Sequence, residues 1–347
     1  MAVLLIVLIY SMPMANSYSY NIGLSYFTKL LVFSVALLIF IGALVTSHQA
    51  GLSVPDWPTT FGYNMFLYPL EKWTGGIFYE HSHRLVASFI GLLTVILFTW
   101  TALAEKRTWV KKLSALALVA VICQGILGGL TVLYLLPTAI SVSHAVLGQT
   151  FLVIVLSLAY IQSYEYLNLT NSKAHVEELK KVAQISTFCA FIIYLQLIFG
   201  ALMRHTHSGL AIPDFPTTGG KWLPIFSNET LHNINTQLRT MNFPLVDMTQ
   251  VYIHSVHRFF AFFVTFVVFY TAYKALSKIE LKVIKNNIKF LLVLVITQFA
   301  LGIFTIWSGK QPVITSLHVV TGALLLATIT LLSLRSWKLY YNKLETK

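Results

Sequence analysis

The sequence predicts an all-α, polytopic membrane protein whose eight transmembrane helices form two parallel-repeat four-helix bundles. Three observations predict it. Hydrophobic residues make up 56% of the 347 positions and charged residues only 10%, with a mean hydropathy of +0.73, a balance outside the range of soluble globular chains. Apolar runs of roughly 20 residues, enough to cross a hydrocarbon layer of about 30 Å, recur along the whole chain. The second half also repeats the first. Residues 42–60 (GALVTSHQAGLSVPDWPTT) and 200–218 (GALMRHTHSGLAIPDFPTT) agree at ten of nineteen positions, at an offset of 158. Further on the offset is 174, pairing His83-Arg84 with His257-Arg258, Gln124 with Gln298, Leu127-Gly128 with Leu301-Gly302 and His144 with His318. The 16 extra residues fall between Gly219 and Gln250. A duplicated unit with one expanded loop explains this pattern.

Taken in order, the expected spans are residues 27–47, 83–103, 113–134, 140–162, 182–203, 252–276, 288–308 and 314–336. Strand alternation is absent, and within lipid a helix satisfies its own backbone. The division that follows is an N-terminal segment of unassigned role (1–26), an N-terminal bundle (27–163), a cytoplasmic linker (164–183), a C-terminal bundle (184–337) and a cytoplasmic tail (338–347). Met1–Tyr10 is apolar and leads into SMPMANS, like a signal h-region without its basic start; Met12 or Met14 as the true start is the alternative. Of the 24 Lys and Arg residues, 17 lie at Lys29, in 105–112, 163–183 and 274–289, and after Leu334. The positive-inside bias puts these segments and both termini in the cytoplasm. Four helices per half give both halves one orientation, related by an axis along the membrane normal. The net charge of +12 is then topogenic bias plus attraction to anionic lipid, and nucleic acid is excluded as a partner.

His83 and His257 are expected to open the second helix of each half, and His144 and His318 to lie near the start of the fourth. The separation is 61 residues in both pairs. Each half thus presents two imidazoles at one depth. Facing side chains in a four-helix bundle build cofactor sites, and neutral imidazole ligates haem iron, so two haem sites are the natural reading. Interfacial histidines satisfied by water would look the same singly, though not duplicated with their spacing. Zinc or non-haem iron would want further ligands, and no carboxylate or thiol recurs beside these histidines. Glu80 lies one helical turn before His83, where the second half has His254; it is either functional or a solvated helix-start residue. Arg84 and Arg258 could contact haem propionates or snorkel to headgroups. His48, His81, His205 and His207 read singly as loop or neighbouring residues. The Pro-Asp-Trp-Pro-Thr-Thr and Pro-Asp-Phe-Pro-Thr-Thr runs read as rigid turns over each bundle. Gln124 and Gln298 point either to close helix packing or to a cofactor edge.

Ala-Gly-Leu-Ser-Val-Pro-Asp-Trp-Pro at 50–58, Glu-x-x-His-Arg at 80–84, the Ser-x-x-His motif at His144, His257-Arg258 and His318 together resemble the haem A synthase family from about Lys29 to Trp337. The resemblance implies a membrane enzyme of the cell inner membrane that oxidises the C8 methyl of haem O to the formyl of haem A for cytochrome c oxidase. It implies resident haem b iron between His257 and His318, substrate haem O at His83 and His144, and a catalytic role for Glu80. Haem O synthase (the protohaem farnesyltransferase), oxidase assembly factors and membrane lipid are the implied partners. A two-haem electron-transfer cytochrome b, or a haem transporter or chaperone, is the alternative. Bacterial members often carry paired cysteines around Pro-Asp-Trp-Pro; here Val54 and Thr60 stand in those places, and Ile212 and Thr218 in the second loop. Cys123 and Cys189 fall within spans and are expected as buried small hydrophobes without a disulfide.

Overall fold

The computed structural model describes residues 20–169, 174–222 and 225–345. Met1–Tyr10 and the alternative starts at Met12 and Met14 lie outside the described residues. Among the described residues eight helices are long and apolar enough to cross a membrane, and no strand forms beyond two isolated bridges, Thr60 with Tyr63 and Thr218 with Lys221. The first half holds α1 (Ile22–Ser47), α2 (Gly75–Ala104), α3 (Thr108–Leu133) and α4 (Thr138–Ile161). A short α5 (Tyr164–Asn168) leads towards α6 (Val176–His205), and α7 (Asn228–Thr240) lies within the expanded loop. The remaining spans are α8 (Met248–Lys278), α9 (Lys282–Trp307) and α10 (Pro312–Glu345).

Within the first half α1 packs on α2 and α4, α2 on α3, and α3 on α4. Within the second, α6 packs on α8 and α10, α8 on α9, and α9 on α10. The two sets meet where α10 lies against α1 and α4, and α4 against α6. The fourth helix of each half is therefore central: 67% of the apolar window of α10 and 44% of that of α4 is buried, against 22% for α1, α2, α3 and α9. Phe33, Leu92, Val119, Ile122, Phe266 and Val293 stay exposed on outward faces, where lipid tails are as apolar as another helix. Cys123 joins this outward face of α3, contrary to the expectation that it is buried, whereas Cys189 is buried; the run of apolar residues around Cys123 carries no signal of which side meets lipid.

Several boundaries differ from the sequence expectation. Helix α1 begins at Ile22, inside the segment left unassigned, with Asn21 Oδ1 accepting from the Leu24 amide as its N-cap. Helix α6 begins at Val176, inside the expected linker, and α10 runs through most of the expected tail. Helix α2 begins at Gly75 and α8 at Met248, behind an Asp247–Gln250 capping box. His83 and His257 therefore lie more than two turns inside their helices and do not open them. Hydropathy reports the length that crosses hydrocarbon, not the polar turns by which a helix projects beyond it.

At the end away from the histidines, Arg335 on α10 forks onto Glu165 of α5 at 2.6 and 2.7 Å and reaches Asn287 of α9 at 2.7 Å. Arg107 donates to Glu105 at 2.7 Å and to the Ile161 carbonyl at 3.3 Å, and Gln162 bridges Thr28 and Thr101. Buried charges thus meet partners rather than lipid.

Candidate functional site

The four histidines share one packing device. A Cβ built on Gly42 would stand 2.9 Å from the Cε1 of His83, one on Gly128 3.2 Å from that of His144, one on Gly200 3.2 Å from that of His257, and one on Gly302 3.1 Å from that of His318. A glycine on the neighbouring helix therefore lets the Cε1 edge of each ring come close to that helix. Gly42 and Gly200 are repeat-related, as are Gly128 and Gly302, so the duplication carried this signal, but identity alone did not say what each glycine touches. Each of the four histidines is half-buried.

Glutamines brace the rings. Gln124 Nε2 donates to the His144 carbonyl at 2.9 Å and lies 3.5 Å from His144 Nε2; Gln298 Nε2 lies 3.4 Å from His318 Nε2. Gln196, which the sequence reading missed, donates to the His257 carbonyl at 3.0 Å and lies 3.3 Å from His257 Nδ1. Its repeat counterpart is Leu38, so no periodicity could have pointed to it. The Oε1 atoms of Gln124, Gln196 and Gln298, and Nδ1 of His83 and His144, are buried without a hydrogen-bond partner.

Above the histidines each Pro-Asp-aromatic-Pro run closes on its own aspartate. Asp56 accepts from the Phe61 amide at 2.7 Å, the Gly62 amide at 2.9 Å and the Thr59 hydroxyl; Asp214 accepts from the amides of Gly219 at 3.0 Å and Gly220 at 2.9 Å and from Thr217 at 2.6 Å. Burial works against the charge of Asp56, but the bonds from Gly62, Thr59 and Phe61 outweigh it and hold the carboxyl below the ordinary value of 3.8. The arginines that follow His83 and His257 clamp these loops from beneath. Arg84 donates to the carbonyls of Asp56 (2.7 Å), Thr59 (3.1 Å) and Val54 (2.7 Å) and to Glu80 Oε1 (2.7 Å). Arg258 donates to the carbonyls of Asp214 at 2.9 Å and Thr217 at 3.3 Å, and its Nη1 is buried and unpartnered. Of the two arginines read as propionate contacts, Arg84 is thus largely taken up by the loop.

Glu80 is 3% exposed, which removes the reading of it as a solvated helix-start residue. Its Oε2 accepts from the Val54 amide at 2.8 Å, and in the second half His254 Nδ1 accepts from the repeat-related Ile212 amide at 3.2 Å. Both side chains anchor a loop; only Glu80 brings negative charge. His81 is fully buried, with Nδ1 3.1 Å from the Thr60 hydroxyl and Nε2 unpartnered, under Tyr68 and Trp73. His48 bonds the Leu44 carbonyl at 2.9 Å and stacks on Tyr79. His205 ends α6, and His207 follows it in the left-handed conformation.

In the second half His257 and His318 line a cavity of about 810 Å³, together with His254, Arg258, Gln196, Gln298 and Phe215. Its volume falls in the range of cofactor pockets. Among the described residues no three His, Cys, Asp or Glu side chains converge as a metal site. Paired imidazoles, glycines that admit the ring edges and a largely apolar cavity fit an iron porphyrin.

Residues 25–330 match the family model COX15-CtaA, described as cytochrome oxidase assembly protein. The chain is similar to the heme A synthase of Halalkalibacterium halodurans, 26% identical over 318 residues that cover 88% of this chain and 95% of that one. It is similar to the heme A synthase of Shewanella oneidensis, 25% identical over 327 residues covering 88% and 94%, and to that of Rickettsia prowazekii, 26% identical over 322 residues covering 85% and 92%.

Proposed function

The chain belongs to the COX15-CtaA family of cytochrome oxidase assembly proteins, and from that membership we infer that it is a multi-pass membrane oxidoreductase that converts haem O to haem A for cytochrome oxidase. The reading rests above all on the two histidine pairs, each ring seated against a glycine. We assign His83 and His144 to substrate haem O, and His257 and His318 to a resident haem b. Iron in that haem supplies one-electron chemistry when bound.

Oxidising a methyl carbon conjugated to a macrocycle develops positive charge on it. Glu80, one turn from His83, is the group that opposes this charge and takes the proton of the water that captures the carbon. Each carboxylate oxygen has more than one acceptor site, so the bonds to Arg84 and Val54 leave Glu80 able to accept from water. Each round takes two electrons and two protons from the carbon and the water that joins it, the electrons passing to an external acceptor, so two rounds give an alcohol and then a hydrated aldehyde, which loses water to the formyl group. The closed loop above it limits entry of bulk water. Orientation follows the basic residues: both termini are cytoplasmic and the histidine end faces the outer side of the cell inner membrane. Haem O synthase and oxidase assembly factors are the partners that the family membership suggests.

The test is pigment extraction from the purified protein before and after haem O is supplied. Haem O, a hydroxylated haem and haem A are expected together. Tightly held haem b alone, with no conversion, would overturn synthesis in favour of an electron-transfer cytochrome.

A further inference from the structure

Arg204 and Lys310 line the same cavity as His257 and His318. Neither has an acidic partner among the described residues. Arg204, in the last turn of α6, is fixed through one nitrogen, Nη2, which donates to the Ala43 carbonyl at 2.6 Å and the Ser47 hydroxyl at 2.9 Å on α1. Its other nitrogens make no hydrogen bond to the described residues. Lys310 sits in the tight turn between α9 and α10, its amide donating to the Thr305 carbonyl at 2.8 Å, at φ 63°. The repeat-related turn of the first half has the same backbone, with Leu136 at φ 60°, so the turn itself does not call for a lysine. Arg204 likewise stands where the first half has Thr46. Both cations are therefore additions peculiar to the second half.

Two positive groups in one largely apolar cavity repel each other, and low polarizability strengthens that repulsion. They lie within electrostatic reach, and burial together with Arg204 holds the Lys310 ammonium below the usual lysine range. No protein anion among the described residues compensates. A ligand that brings carboxylates to this end of the cavity would do so, and charge-assisted bonds to carboxylate are the strong kind. A porphyrin with two propionates on one edge meets that requirement while its iron meets the imidazoles.

We propose that Arg204 and Lys310 form a carboxylate clamp for the propionates of the porphyrin held between His257 and His318, and that this charge is what keeps that porphyrin resident. The proposal rests on the haem reading above. It adds which edge of the ring points at these residues and why the second-half ligand stays.

The test uses full-length protein in detergent, loaded with haem b or with its dimethyl ester, and follows loss of the Soret band on transfer to excess apomyoglobin. Lys310→Met is expected to speed haem b loss roughly ten- to a hundredfold, and Lys310→Arg to restore most of the retention. The ester is expected to leave the wild type at the fast rate and to make wild type and Lys310→Met alike. Arg204→Gln should behave like Lys310→Met. Equal retention of haem b and its ester by the wild type would overturn the clamp even if the variants fail to fold. A wild type that binds no haem at all would overturn the underlying haem reading as well, and so separates the two failures.

Discussion

Gly302 and its three counterparts set how near each histidine ring can lie to the adjacent helix. A methyl at Gly302 would stand 3.1 Å from His318 Cε1, so the ring must give by a few tenths of an ångström. Alanine favours a helix over glycine by up to about 1 kcal/mol, which offsets part of the packing penalty. Gly302→Ala is therefore expected to melt near the wild-type temperature while its haem b spectrum shifts; an unchanged spectrum would mean the ring is not a ligand. His257→Ala removes one of the two imidazoles proposed to hold haem b and is expected to abolish the bound haem b absorbance, so full retention would contradict the pairing. Glu80→Gln keeps the shape of the side chain and loses the charge. Conversion of haem O is expected to fall by about a hundredfold or more with haem b content intact, and conversion at the wild-type rate would remove Glu80 from the chemistry. His254, at the equivalent place, marks the difference between the halves: the same loop amide is held there without a carboxylate.

The outer loops are the elements that the sequence half-explained. Rigid turns over each bundle were legible from the proline and aspartate spacing, but their fastening was not, since Arg84 reaches back 25 to 30 residues to three loop carbonyls. Where bacterial relatives often carry paired cysteines, Val54 gives its amide to Glu80 and Thr60 meets His81, so hydrogen bonds close this loop without a disulfide. Trp57 is pressed on α3 so closely that a Cβ on Gly129 would stand 2.5 Å from its ring. Because the Asp56 carboxyl is lowered on folding, its contribution to the loop is full above the ordinary value of 3.8 and is lost as pH falls through the lowered folded value. Wild-type Trp57 fluorescence, taken as the difference from Trp57→Phe, is expected to change below about pH 4. In Asp56→Asn that acid transition should vanish; its persistence would assign it to another group. The eight spans and four histidines could be read because hydropathy and a fixed offset report them directly. Gln196, Arg204 and Lys310 could not, because the first half has Leu38, Thr46 and Leu136 in their places, and a repeat reveals only what both copies keep.

Across the whole molecule, the histidines lie at one end and the Arg335–Glu165 ion pair at the other. The residues Arg335 and His318 both lie on α10, about 26 Å apart along the axis at the usual helical rise. Arg335 ties α10 to α5 and α9 through Glu165 and Asn287, whereas at the histidine end Ser316 meets Ser47 of α1 at 3.1 Å and Arg204 crosses to the same helix. The most buried helix thus carries one lock at each end, with the cavity beside only one of them. Arg335→Met keeps the length of the side chain and leaves Glu165 partly solvated, since that carboxylate is 32% exposed. The expected loss is about 1–3 kcal/mol, read as earlier thermal unfolding in detergent, with an unaltered haem b spectrum below the transition. Coupling between the ends would show as a spectral shift in the folded variant, because a displaced α10 would carry His318 with it. Such a shift would mean that α10 moves as a rigid rod, and that the lock away from the histidines helps to set the geometry of the porphyrin site.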